Sequence, residues 1–264
     1  MNIVVCVKQV PDTESVIKIK PDGSDIVTDD LKYVMNPYDE YGVEEGLQIK
    51  EKLGGEVAIL CMGPSRVVET IRTGLAMGAD KAVHLDDPAF EGGDAFATAK
   101  ALAEALKGME YDLILCGKQA VDDDFSQVGQ MLAELLGLPH VSLIQKLEIG
   151  DDKKSATVNC QVEGGMAVLD VSLPAVLTTQ KGLNEPRYAS LPGIMKAKKK
   201  PLETKDLAAL GLSADNVGCT GSKTMVIKMT PPPERAAGKI IEGEGPEETV
   251  PKLVKLLREE AKVV

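Results

Sequence analysis

The sequence has no tryptophan, and aromatic residues make up only 3% of its 264 positions. Few stacking platforms are therefore on offer for a single-stranded nucleic acid or a sugar ring. Cations are also in the minority. The 30 Lys+Arg stand against 41 Asp+Glu, a formal net charge of -11, which argues against a nucleic-acid partner whose phosphates need surplus lysine and arginine. The only histidines, His84 and His140, leave little material for a histidine metal site or a catalytic triad. Cys6, Cys61, Cys116, Cys160 and Cys219 are odd in number and include no C-x-x-C pair. Neither a disulfide framework nor a zinc site is indicated, and reduced thiols are expected. No apolar run approaches the roughly 18 residues of a membrane span, and no basic and then apolar leader opens the chain. The reading is a soluble, cytoplasmic protein without direct membrane insertion.

What is present is enough apolar material, 44% of the chain, to bury one core with an appendage. Residues 3–10 (IVVCVKQV) form a β-branched run of the kind that is buried on both faces of a parallel sheet. Residues 15–28 read as a hairpin about Pro21-Asp22-Gly23. An amphipathic helix over 39–53 stops at Gly54-Gly55. Strand 57–61, a Gly63-Pro64-Ser65 turn, a helix to Gly78, strand 81–85, a helix over 94–107 and strand 112–116 follow. A helix from about Ser126 to Gly137 comes next. This alternation predicts an α/β, doubly wound, mainly parallel sheet. Runs at 140–148, 155–163 and 166–178 read as added antiparallel strands. Residues 183–200, rich in proline and lysine, read as a long surface loop of the functional kind. Beyond it, a small helix (205–210), a strand (224–229) and a terminal helix (247–262) are too dispersed for a core. They suggest an extended C-terminal arm, residues 201–264, leaning on another polypeptide, with residues 1–182 as the nucleotide-binding domain.

Ligands of open α/β sheets sit beyond the carboxyl ends of the strands, where chain order reverses. Those ends are Cys6-Val7-Lys8-Gln9, Cys61-Met62-Gly63-Pro64 and Cys116-Gly117-Lys118-Gln119. The last runs through Ala120, Val121, Asp122, Asp123, Asp124 and Phe125 to Ser126, Gln127 and Val128 at a fresh helix start, whose free amides suit a phosphate. No G-x-G-x-x-G occurs, and Gly221-Ser222-Lys223-Thr224 lacks P-loop order, so a nucleotide would need another device. Asp122–Asp124 would repel a phosphate unless the amides of 126–128, helped by Lys118, outweigh them. The alternative is that they only cap the helix. Met62 at a strand end is more often core filler than a ligand contact. The run Lys196, Lys198, Lys199 and Lys200 is either a solvated surface or a guide for an acidic partner.

The segment GKQAVDDD at 117–124 with Gln127, and LNEPRYASLPGIMKAKKK at 183–200, closely resemble the beta subunit of electron-transfer flavoproteins. VCVKQV near the start, MNPYDEYGVEE at 35–45 and ETIRTGLAMGADKAVHL at 69–85 agree in order, so the resemblance covers nearly the whole chain. It implies a Rossmann-like domain that pairs with an alpha subunit, covers part of the FAD that subunit carries, and buries a structural AMP. The AMP contacts implied are Cys6, Asn36, Pro37, Tyr38, Asp39, Met62 and the segment Gly117 to Val128. A bifurcating branch places a second FAD there and reads Asp-Gly-Asp-Thr, where this chain has Asp122-Asp123-Asp124-Phe125. AMP is the expectation. Thr13 departs from relatives that place an aromatic near the flavin. The 183–200 segment resembles the family's recognition loop, with Leu191 as the anchor for acyl-CoA-type dehydrogenases and a quinone-linked oxidoreductase as electron acceptor. An electron carrier rather than an enzyme is implied. The rivals are an ATP-using enzyme of the adenine-nucleotide hydrolase-like fold and a nucleotide-sensing module acting alone.

Overall fold

The computed structural model describes residues 1–234 and 237–264, which divide into two compact units, Met1–Ile227 and Lys228–Val264. The first unit is built on β1 (Asn2–Val7). Along it, Ile3, Val5 and Val7 face one core while Val4 and Cys6 face another. This is why the run is apolar without interruption, since both faces are covered. The same split recurs on β4 (Glu56–Met62), with Val57, Ile59 and Cys61 on one side and Ala58 and Leu60 on the other. Helices α1 (Pro37–Leu53) and α2 (Val68–Met77) close the first face with Val43, Leu47, Ile71 and Leu75. Helices α3 (Ala95–Lys107) and α4 (Val128–Leu136) close the second with Ala99, Leu102, Leu106 and Leu132.

The remaining strands are β5 (Lys81–Leu85), β6 (Leu113–Gly117), β7 (His140–Ile149), β8 (Ser155–Val162), β9 (Gly165–Ser172), β10 (Ala175–Thr179) and β11 (Leu202–Lys205). They join β1 and β4 in a nine-stranded sheet of order β11-β5-β4-β1-β6-β10-β7-β8-β9. From β11 to β7 every pairing is parallel, and only the β7-β8-β9 meander is antiparallel. The expected α/β, doubly wound sheet is therefore the fold. Chain order runs outward from β1 towards β4 on one side and towards β6 on the other, so the switch point lies between β1 and β6.

Several local expectations are corrected. The strand expected over 3–10 breaks at Lys8. Beyond it, β2 (Gln9–Pro11) pairs antiparallel with β3 (Tyr33–Met35), a strand too short to stand out in the sequence. The 15–28 hairpin is present in short form, with one bridge, Ile19 to Ile26, flanked by the Val27 amide on the Lys18 carbonyl at 2.7 Å and the Lys20 amide on the Asp25 carbonyl at 2.8 Å. The run 166–178 is two strands, not one, divided at Leu173-Pro174. β10 is wholly buried and lies between β6 and β7, parallel to both rather than antiparallel. The 183–200 loop contains a helix, α5 (Leu191–Ala197). Pro192 sits in its first turn, where a missing N–H costs nothing, and the Ser190 hydroxyl accepts from the Gly193 amide at 3.1 Å. Where an arm is expected from residue 201, Leu202–Lys205 instead forms β11 beside β5. Its polar sequence suits a sheet edge. Residues 207–211 are turns rather than a helix. A four-residue helix, α6 (Gly218–Gly221), follows, and 224–229 is unpaired among the described residues. In the second unit, α7 (Pro246–Leu256) ends in a wider π-type turn, Leu257–Ala261, and neither stretch buries a residue.

Candidate functional site

A cavity of about 230 Å³ opens at the switch point, beyond the carboxyl ends of β1, β4 and β6. Cys6 and Cys116 are register partners across β1 and β6. With Leu60, Met62 and Leu102 they give it an apolar lining, and the polar wall comes from the segment 117–129. Of the residues read as cofactor contacts, Cys6, Asn36, Asp39, Met62, Gly117, Lys118, Gln119, Ala120, Asp123, Phe125, Ser126, Gln127 and Val128 line the cavity. Pro37, Tyr38, Val121, Asp122 and Asp124 do not line it.

The polar wall is fixed by one buried carboxylate. Asp39, in the first turn of α1, accepts from the Lys8 amide at 2.7 Å, the Gly117 amide at 3.0 Å and Asn36 Nδ2 at 2.9 Å. Burial pushes its carboxyl up to about 7, against the pull of these donors. Asn36 also donates to the Gln119 carbonyl at 2.9 Å and accepts from the Val121 amide at 3.2 Å. Asn36 and Asp39 thus spend their polar atoms holding the loop in shape. Gly117 is required by the close approach, since a Cβ there would lie 2.1 Å from Asp39 Oδ1.

The three aspartates neither cap α4 nor stand free. Lys8 Nζ bonds Asp122 at 2.8 Å and Asp123 at 2.9 Å, while Gln119 Nε2 donates to Asp124 at 2.5 Å. Burial lowers the Lys8 pKa, but the two aspartates more than offset this, so the net shift is upward. The repulsion expected of this run is therefore lessened by one positive charge against the three carboxylates. The loop then turns through left-handed backbone at Asp124 (φ 53°) and Ser126 (φ 55°). The Ser126 hydroxyl donates to the Lys118 carbonyl at 2.7 Å, and the Lys118 ammonium lies 4.9 Å from the centre of the Tyr38 ring.

Helix α4 opens at Val128, two residues later than the sequence suggests, with Gln127 before it and no side-chain cap. Its first residues, Val128 and Gly129, line the cavity. Uncapped N–H groups with the positive end of a helix dipole make an anion site. Across the cavity α3 is the opposite case, because Asp94 caps it by accepting from the Ala97 amide at 2.9 Å. Asp94 also accepts from the Lys223 and Thr224 amides at 2.7 and 2.9 Å. Gly221–Thr224 therefore clasps Asp94 and is no phosphate loop. Sequence reasoning missed the α3 side of the cavity, Gly93 to Thr98, and the clasp from Lys8. Gly92-Gly93-Asp94 is a legible helix start, but its facing α4 is a matter of topology.

At the proposed docking segment, Leu191 is 79% exposed and Met195 74%. Lys196, Lys198 and Lys199 are exposed. Lys200 is not a free charge: its Nζ donates to the Leu75 carbonyl at 2.8 Å and the Ala79 carbonyl at 2.5 Å, at the end of α2. Among the described residues, no helix is long and apolar enough to cross a membrane, and no group of three or more His, Cys, Asp or Glu is placed to hold a metal.

A mainly parallel sheet with a small cavity at its switch point, bounded by an uncapped helix, defines an α/β protein of the doubly wound class. A family model described as electron transfer flavoprotein domain matches residues 24–210. The chain is 43% identical to an electron transfer flavoprotein subunit beta of Bacillus subtilis, covering 100% of both. It is 41% identical to the subunit beta of Bos taurus, covering 98% of both. It is also 41% identical to the caffeyl-CoA reductase-Etf complex subunit CarD of Acetobacterium woodii, with the same coverage. The chain belongs to the electron transfer flavoprotein family, as a beta subunit. Such subunits serve electron transfer and pair with an alpha subunit.

Proposed function

We propose that the cavity holds AMP as a structural nucleotide, and that the chain covers part of an FAD carried by the alpha subunit. In this reading α5 docks acyl-CoA-type dehydrogenases, and the electrons pass on to a quinone-linked oxidoreductase. The observation that carries the nucleotide reading is the uncapped start of α4 in the lining of a cavity that has one apolar and one polar wall. The Val128 and Gly129 amides would bind the phosphate, and Cys6, Leu60, Met62 and Leu102 would enclose the base. Lys8 offsets part of the charge of Asp122 and Asp123 by pairing with them. A cavity of about 230 Å³ with Phe125 in its lining favours a mononucleotide over a second FAD.

The FAD, when bound, supplies the redox chemistry. This chain needs no acid or base of its own. Its part is to close the pocket and to present Leu191 for docking, with Lys196, Lys198 and Lys199 guiding an acidic rim. One apolar anchor among weak polar contacts suits a transient complex. The five unpaired cysteines agree with a reducing compartment such as the cytoplasm.

Extraction of nucleotides from the co-purified heterodimer tests the reading. One AMP for each flavin is expected. Two flavins without AMP would establish the bifurcating arrangement instead, and one flavin with no further nucleotide would remove the cavity's proposed role.

A further inference from the structure

The chain between β10 and α5 is held on helix α1 by two side chains. Asn184 Nδ2 donates to the Tyr41 carbonyl at 3.0 Å and to Glu45 at 2.9 Å. Arg187 bridges two carboxylates on one stripe of α1, about two turns apart. It gives Nε to Glu44 at 2.7 Å and Nη2 to the same carboxylate at 2.9 Å, and it reaches Glu51 through Nη1 at 2.5 Å. The Glu44 side chain is only 4% exposed while Arg187 is 35% exposed, so the Glu44 half of the fork is buried and the Glu51 half lies at the surface. Burial alone would raise the Glu44 carboxyl, yet the bonds from Arg187 and Gln48 bring it below its ordinary value.

The far end is tied to α2. Arg72 donates to the Ala197 and Lys200 carbonyls at 2.5 and 3.1 Å. Between the two ties lies the exposed apolar set: Tyr188 is 98% exposed, with Leu191 and Met195 beyond it. Arg187 lies on the side from which the chain enters α5.

We infer that Arg187, clamped between Glu44 and Glu51, is the positioning residue of the docking site, setting the entry to α5 and hence the direction of Leu191. The inference rests on the docking reading above. Its physical basis is pre-organisation: a segment already ordered loses less freedom when a partner binds. Arg187 does not act as a steering charge, because two carboxylates neutralise it. Lysine cannot replace it, since one ammonium lacks the planar fork that spans both acids.

The test uses the intact heterodimer with a purified acyl-CoA dehydrogenase reduced by its acyl-CoA substrate. Arg187→Gln should raise the KM for the carrier about tenfold, with kcat within about twofold and an unchanged salt dependence. Flavin content should be retained. Arg187→Lys should recover less than half of the loss. Glu51→Gln, at an exposed position, should raise KM about threefold. Amide exchange over 188–197 should quicken in each. Should Arg187→Gln fail to assemble, Glu51→Gln decides the matter. An unchanged KM in the deciding variant, alongside a raised KM in Leu191→Ala, would overturn the clamp alone. An unchanged KM in Leu191→Ala would overturn the docking reading, and the clamp's role with it.

Discussion

Two irregular segments carry the function proposed for this chain, and they solve opposite problems. The cavity loop, 117–127, is drawn inward. Asp39, Asn36 and Lys8 absorb its polar groups, and the start of α4 is left bare towards the cavity. The 183–200 segment is tied down at both ends, and its apolar side chains are left bare towards solvent. In each, the ion pairs and hydrogen bonds belong to the scaffold, and the groups offered to a ligand are those left unpaired. Charged residues conspicuous in the sequence are consequently poor guides to contact. Asp122, Asp123 and Lys200 are structural ties, whereas the backbone amides at 128–129 and the side chain of Leu191 are the free groups.

The comparison predicts that the two segments fail independently. The largest effect is expected from Gly117→Ala. Its Cβ would fall 2.1 Å from Asp39 Oδ1 and 2.9 Å from the Tyr38 Cβ, so the carboxylate must move and the loop with it. Overpacking of this kind costs about 1–3 kcal/mol. The heterodimer should lose its extractable AMP while dehydrogenase docking persists. Loss of docking without loss of AMP would break the comparison. A smaller effect concerns pH. Burial raises the Asp39 carboxyl to about 7, so the folded state holds this proton more tightly than the unfolded chain does. The stability it contributes is full below the ordinary carboxylate range, near pH 4, and is lost as pH rises through about 7. Denaturation midpoints of the wild type relative to Asp39→Asn should therefore fall between pH 5 and about 8. A difference that is flat or grows with pH would mean that the three donors outweigh burial.

Much of the fold was legible because buried parallel strands announce themselves. β1, β4, β5 and β6 are short apolar runs, and Gly54 (φ 73°) and Gly78 (φ 146°) mark where α1 and α2 stop. What escaped was set by partners distant in sequence. β10 continues the apolar run of β9, and nothing local says that it crosses to lie between β6 and β7. β11 is polar because it lies at an edge, and α5 has only seven residues with a proline in its first turn. At the site, the phosphate-type loop was legible from its place after a strand. The pairing of Lys8 with Asp122 and Asp123 spans more than a hundred residues, and that of Arg187 with Glu44 spans 143. No local pattern encodes either.

The central claim is that the start of α4 binds a phosphate, and calorimetric titration of nucleotide-depleted heterodimer with AMP and with adenosine tests it most directly. AMP should bind at least about tenfold more tightly, the equivalent of one charge-assisted hydrogen bond. Equal affinities for the two ligands would contradict the account.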